Sequence, residues 1–147
     1  MDWAFIQEFA PMFVKAGGLT LRIGSIGIII SIIIGLIVSV IMYYKIPVLK
    51  TIISAYIELS RNTPLLVQLF ILYFGLPKLG IVISSEGCAI IGLAFLGGSY
   101  MGEAFRSGLE SVEKIQFESG LSVGLNYVQV MRYVILPQAI SVSIPAI

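Results

Sequence analysis

Apolar residues run through this chain in blocks that are long for a strand and too unbroken for a helix with one wet face. From 23 to 44 no residue is charged and most are Ile, Val, Leu or Gly. At about 1.5 Å per helical residue such a block crosses a hydrocarbon core of about 30 Å. Its isoleucine content would suit a strand, but strands run about 5–6 residues, so length decides for a helix. Gly24, Gly27, Ser31, Gly35 and Ser39 along it allow a second helix to approach closely. A second block begins near Ile53 and ends at the breaker Gly75-Leu76-Pro77. A third begins near Gly87 and stays apolar through Gly102, after which Glu103, Arg106, Glu110, Glu113 and Lys114 turn it polar. The last strongly apolar run opens at Tyr133 and is still going at Ile147, about 15 residues and short for a crossing.

These blocks predict an all-α, polytopic helical membrane bundle. Its spans fall at about 20–44, 53–75, 87–108 and 130–147, with a polar segment over about 109–129 and the fourth span cut within its helix. Tyr43 and Tyr44, followed by Lys45, Pro47 and Lys50, read as an aromatic belt and a short basic loop on the cytoplasmic side. The N-terminus is then outside, the segment 78–86 external and the segment 109–129 cytoplasmic. The first residues carry Asp2 and Glu8 without a basic stretch or a small-residue cleavage site, so the first span is expected to act as an uncleaved insertion signal.

Composition agrees: 58% of the 147 residues are hydrophobic and 12% charged, so the lipid bilayer must solvate most of the chain. A net charge of +1, with no basic stripe interleaved with aromatics, argues against nucleic acid as a partner. There is no histidine, and the single cysteine, Cys88, reads as an inert buried thiol; no Cys/His metal site or cofactor is expected. No nucleophile with a neighbouring base stands in the apolar blocks, and no Gly-x-x-x-x-Gly-Lys-Ser/Thr loop is present to cradle a nucleotide. The chain is therefore not expected to be an enzyme, nor to hydrolyse ATP itself.

In a bilayer every backbone polar group must be satisfied internally, so polar residues within the bundle need a reason. Three segments supply them. The segment 118–138 reads as a helix-turn-helix: Glu118 is placed to favour a helix N-terminus, and Gly124 can turn left-handed to end one short helix before the next. An ordinary connecting loop is the plainer alternative. The segment 60–75, SRNTPLLVQLFILYFG, sets Glu58 and Arg61 three apart, where they can pair on one face, and Pro64 should bend the helix. A kinked interface anchor is the plainer alternative. The segment 99–108, SYMGEAFRSG, puts Glu103 near the end of an apolar block, again three residues from a basic partner, Arg106. Glu103 should face a bundle interior or wet cavity, where it either meets a substrate's positive charge or pairs with Arg106 at the membrane edge.

These segments resemble those of permease subunits of binding-protein-dependent ABC importers, and within them the polar amino acid subfamily (the histidine/glutamine/arginine type). A glutamate, a glycine six residues on and Leu-Pro closing a twenty-residue window form the EAA-like loop; here they are Glu118, Gly124, Leu136 and Pro137. Ser119 and Gly120 replace the usual two alanines, and Val134 an isoleucine; the extra glycine is expected to loosen the short helix. The run from Arg61 to Gln68 resembles the subfamily's second-span signature, and the Tyr100–Glu103–Arg106 stretch its AYxAEIxRGG. Where the family places a turn before the loop glutamate, Glu113, Lys114, Ile115 and Gln116 suggest a more helical connection.

The resemblance covers nearly the whole chain, from Gly18 to Pro137, and implies a MetI-like permease bundle in the bacterial cytoplasmic (inner) membrane, importing polar amino acids by alternating access. It implies an ABC ATPase subunit, an extracytoplasmic solute-binding protein and a second permease copy or paralogue as partners. It implies that Glu118, Ser119, Gly120, Leu121, Gly124, Leu136 and Pro137 form the ATPase-coupling loop. Glu103, Arg106, Tyr100, Thr63 and Gln68 are the candidates for the translocation pathway. An importer of another solute and a non-transporting assembly protein of the membrane are the alternatives.

Overall fold

The computed structural model describes residues 3–144, with side chains from Gln7 onward except Glu8. Asp2 and the end of the expected fourth span, 145–147, lie outside the described residues. Every regular element among those residues is helical.

Helix α1 covers Trp3–Tyr44, about 17 residues longer at its N-terminal side than the expected span. The Gly17-Gly18 pair, a breaker by composition, does not interrupt it, and the helix continues outward. Helix α2, Pro47–Asn62, starts with proline in its first turn, where the missing N–H costs nothing. Helix α3, Leu65–Phe70, continues through a π-helical turn, Ile71–Gly75, and a 3-10 turn, Leu76–Leu79. Helix α4 spans Ser85–Ser111, its start capped by the Ser84 hydroxyl accepting from the Gly87 N–H. Helix α5 is Lys114–Ser122 and α6 is Tyr127–Val130, which passes through a second π-helical turn, Met131–Ile135, into α7, Leu136–Ser143. Among the described residues two helices are long and apolar enough to cross a membrane, Phe9–Tyr44 and Ser85–Ser111.

Several expectations need correcting. The second block is not one bent helix over 53–75: it opens at Pro47, and at Thr63-Pro64 the backbone becomes extended and the helix restarts. Proline disfavours helical geometry in the residue before it, and Thr63 accordingly lies at φ −108°, ψ 118°. The connection at 113–116 does not run on smoothly as helix. Val112 and Glu113 are both extended, and α5 starts afresh at Lys114. Glu118 therefore stands in the middle of α5 and not at its N-terminus. The helix containing the fourth block already begins at Tyr127.

Both Leu-Pro steps share one device. Pro77 and Pro137 have no N–H to give the carbonyl four residues earlier, and their rings crowd it. In each case the preceding turn widens, and the leucine N–H reaches back five residues: Leu76 to the Ile71 carbonyl, Leu136 to the Met131 carbonyl.

Helix α4 is central, with α1, α2, α3 and α7 packed on it. Against α1 the approach is close because glycines alternate across the seam. A β-carbon on Gly35 would stand 2.5 Å from that of Met101, one on Gly98 2.5 Å from Ile34 Cγ2, and one on Gly102 would overlap Val38. These pairs advance together in number, so α1 and α4 run parallel. Helix α7 packs antiparallel to the end of α4, with Ser143 over Gly108 and its hydroxyl on the Ala104 carbonyl. The tightest hydrophobic core lies at this end: Leu109, Val130, Ile135 and Ala139, ringed by Tyr43, Val112, Phe117 and Leu121.

Candidate functional site

The helix-turn-helix expected around Gly124 is built from two interlocking caps. Gly124 lies at φ +90°, the left-handed region that glycine enters without penalty. Its N–H donates to the Leu121 carbonyl (3.0 Å) and the next N–H, Leu125, to the Gly120 carbonyl (3.2 Å). This is the Schellman closure of α5, satisfying carbonyls that the helix end would leave orphaned. The following residue opens α6 with a capping box. Asn126 Oδ1 accepts from the Gln129 N–H at 3.0 Å, and Gln129 Oε1 accepts from the Asn126 N–H at 2.9 Å.

Gly120 does not loosen α5, as its sequence suggested. It is buried, and a β-carbon there would stand 2.8 Å from Val130 Cγ2, so the glycine lets α6 lie directly on α5. Phe117 and Tyr127 close the same contact with ring centroids 5.5 Å apart. Glu118 and Ser119 face outward, Leu121 is half-buried, and Leu136 and Pro137 are exposed at the start of α7. Val123 is 78% exposed and Val128 75%, and Ile115, in the first turn of α5, is also exposed. The doubly capped turn thus presents exposed apolar side chains.

The second constellation joins α2 and α4. Ser60 is fully buried; its hydroxyl contacts the Phe95 carbonyl (3.1 Å) and Ser99 Oγ (3.1 Å). The Tyr56 hydroxyl donates to the same Phe95 carbonyl at 2.6 Å. One turn further along α4, Arg61 forms an ion pair with Glu103, and its guanidinium lies 4.8 Å from the centroid of the Tyr100 ring. The pairs expected within single helices are replaced. Arg61 binds Glu103 across the seam instead of Glu58, and Arg106 is 3.9 Å from Glu110 instead of joining Glu103. The extended break at Thr63-Pro64 frees Arg61, at the end of α2, to reach across to α4. Glu103 and Arg106 nevertheless line one cleft of about 190 Å³, together with Glu58, Ser54 and Met42.

Thr63 and Gln68 lie apart from that cleft, in a separate apolar recess with Leu59, Ile91 and Phe95. Gln68 is only 8% exposed, and its Nε2 donates to the carbonyls of Ser60 and Thr63, each at 2.9 Å. The structure thus brings Tyr100 and Glu103 together with Arg61, which the pathway set omitted, and leaves Thr63 and Gln68 in a supporting position. Tyr56, Ser60 and Ser99 were missed. Their signal in the sequence is the four-residue spacing of Tyr56 and Ser60, and of Phe95, Ser99 and Glu103, which aligns each set on one helix face.

Residues 27–147 match the family model described as binding-protein-dependent transport system inner membrane component. The probable amino-acid ABC transporter permease protein PatM of Vibrio harveyi is 38% identical over 99% of this chain and 67% of its own length. The probable amino-acid permease protein YxeN of Bacillus subtilis (strain 168) is 42% identical over 99% of this chain and 66% of its own. The chain thus spans about two thirds of the length of these relatives. A crystal structure of an amino acid ABC transporter with histidines superposes with a TM-score of 0.87 at 34% identity, over 99% of this chain and 68% of that one. The chain belongs to the binding-protein-dependent transport system inner membrane components.

Proposed function

We propose that this chain forms the membrane pathway of an importer for polar amino acids, working by alternating access with partner subunits that supply solute and energy. An ABC ATPase subunit docks on the α5–α6 turn, an extracytoplasmic binding protein delivers solute at the outer face, and a second permease copy or paralogue completes the pathway. The N-terminus lies outside, and α1, the α2–α3 pair, α4 and the helix through α7 supply the membrane spans. Glu118, Ser119, Gly120, Leu121, Gly124, Leu136 and Pro137 build or flank the docking turn. Glu103, Arg106 and Tyr100 line the pathway, while Thr63 and Gln68 hold the broken helix beside it.

The observation that carries this reading is the doubly capped turn with exposed Val123 and Val128. Rigid caps at both sides transmit displacement, and exposed apolar side chains on a segment outside the apolar blocks suit a protein partner. The charged flank of α2 and α4 supports the pathway assignment. Ionised groups facing lipid are costly, so Glu58, Arg61, Glu103 and Arg106 suit a wet or protein-covered face.

The test is cysteine cross-linking in native membranes containing the co-expressed ATPase, with Cys88→Ser as background and single cysteines at Ser119 and Val123. An ATP-sensitive adduct with the ATPase is expected from both positions. No adduct from any position between Glu118 and Gly124 would remove the coupling role and leave a non-transporting membrane protein as the better reading.

A further inference from the structure

The break between α2 and α3 poses an accounting problem. In a continuous helix the Ser60 carbonyl accepts from the N–H four residues on, but that residue is Pro64, which has none. The Thr63 carbonyl is likewise deprived, because the Val67 N–H turns to the Pro64 carbonyl at 2.9 Å. Between membrane helices there is little water to take up such groups. Gln68 answers both with one carboxamide: Nε2 donates to Ser60 O and to Thr63 O, each at 2.9 Å. Two carbonyl acceptors at the same nitrogen also settle which end of the amide is which, since an oxygen there would face two oxygens.

What the arrangement gives up is equally informative. Gln68 Oε1 is buried with no hydrogen-bond partner. The amide's bonds within the chain are both made by its donor end. Ser60 is consequently fixed from two directions, its hydroxyl to Phe95 and Ser99 of α4 and its carbonyl to Gln68 of α3. Arg61 is the next residue, and Glu103 stands four residues beyond Ser99 on the same face of α4.

We propose that Gln68 is the positioning residue of this break: its carboxamide replaces the N–H that Pro64 lacks, and by holding Ser60 it sets Arg61 against Glu103 and Tyr100. The side chain acts through the ion pair and does not itself need to touch solute. The inference deepens the pathway reading above and uses transport as one of its two readouts.

The test is a mutant cycle in the whole importer, purified with its partner subunits and reconstituted in liposomes, read by solute uptake and by the thermal midpoint of the complex. Gln68→Met keeps the volume and removes the donors; Glu103→Gln removes the ion pair; Pro64→Ala returns a backbone N–H. Gln68→Met is expected to lower uptake on the order of tenfold, yet by less than about twofold when Glu103→Gln is already present, because coupled neighbours are not additive. Adding Pro64→Ala to Gln68→Met is expected to raise the thermal midpoint, whereas Pro64→Ala alone lowers it. Losses that multiply independently of Glu103, or no relief from Pro64→Ala, would overturn the proposal, since a packing role alone predicts both. If Gln68→Met fails to assemble, Gln68→Asn, which keeps the amide but falls one methylene short, takes its place in the same cycle. The thermal cycle needs no transported solute, so an unmodified complex that imports no amino acid refutes the transport reading without touching this one.

Discussion

A β-carbon at position 120 would meet a β-branched neighbour whose rotamer is stiff, so it cannot be absorbed by a side-chain swing. Gly120→Ala is therefore expected to destabilise the α5–α6 contact by about 1–3 kcal/mol, the usual cost of overpacking. Val130→Ala in the same chain should recover much of that loss. Thermal midpoints of the detergent-solubilised parent and the two variants decide the matter, and a Gly120→Ala variant as stable as the parent would refute the contact. The same reasoning distinguishes Gly124, where a β-carbon has open space around it but the left-handed backbone costs any L-residue about 1–2 kcal/mol. Position 124 could be read from the sequence because a turn between two short helices requires such a residue. Position 120 could not, because its neighbour Val130 is brought against it only by folding.

At the scale of elements, the docking turn depends on caps more than on the propensity of its short helices. The nine residues of α5 cannot persist by themselves, since isolated helices of fewer than about 12 residues are marginal in water, and α6 is the first turn of the helix that runs on into α7. Asn126→Ala removes the acceptor of the Gln129 N–H and is expected to cost about 0.5–2 kcal/mol, with weaker ATPase cross-linking from position 123. Ser122→Ala, which loses only an exposed bond to the Glu118 carbonyl, should stay within about 0.5 kcal/mol of the parent and serves as the control. If both variants behave alike, the capping box does not support the turn. The prolines could be located in the sequence as interruptions, but the form of each interruption could not. At Pro64 the preceding Thr63 turns extended and Gln68 takes up the freed carbonyls, whereas Pro77 and Pro137 widen the preceding turn and let the helix continue.

At the scale of the molecule, α1 and α4 carry apolar surface well beyond what they bury on each other, and lipid and partner chains are the natural solvents for the remainder. The proposed orientation predicts the outcome of labelling with a membrane-impermeant maleimide in the Cys88→Ser background. A cysteine at the exposed Val82, between α3 and α4, should react in intact cells or spheroplasts, and one at Val123 only after permeabilisation. The reverse pattern would invert the topology and move the docking turn to the wrong side for an ATPase. The sequence by itself determined that the chain is helical and membrane-embedded, where its apolar blocks lie, and which segments carry the loop and second-span motifs. Hydrophobic length and local backbone chemistry are properties of neighbours along the chain, so they can be read without a fold. Only the tertiary structure decided that Arg61 pairs with Glu103 and not Glu58, that Gly120 is a contact and not a weakness, and that Gln68 completes the broken helix. Each of these depends on groups brought together from different elements, and several partners within reach satisfy the same spacing until the packing of α2, α3 and α4 selects one.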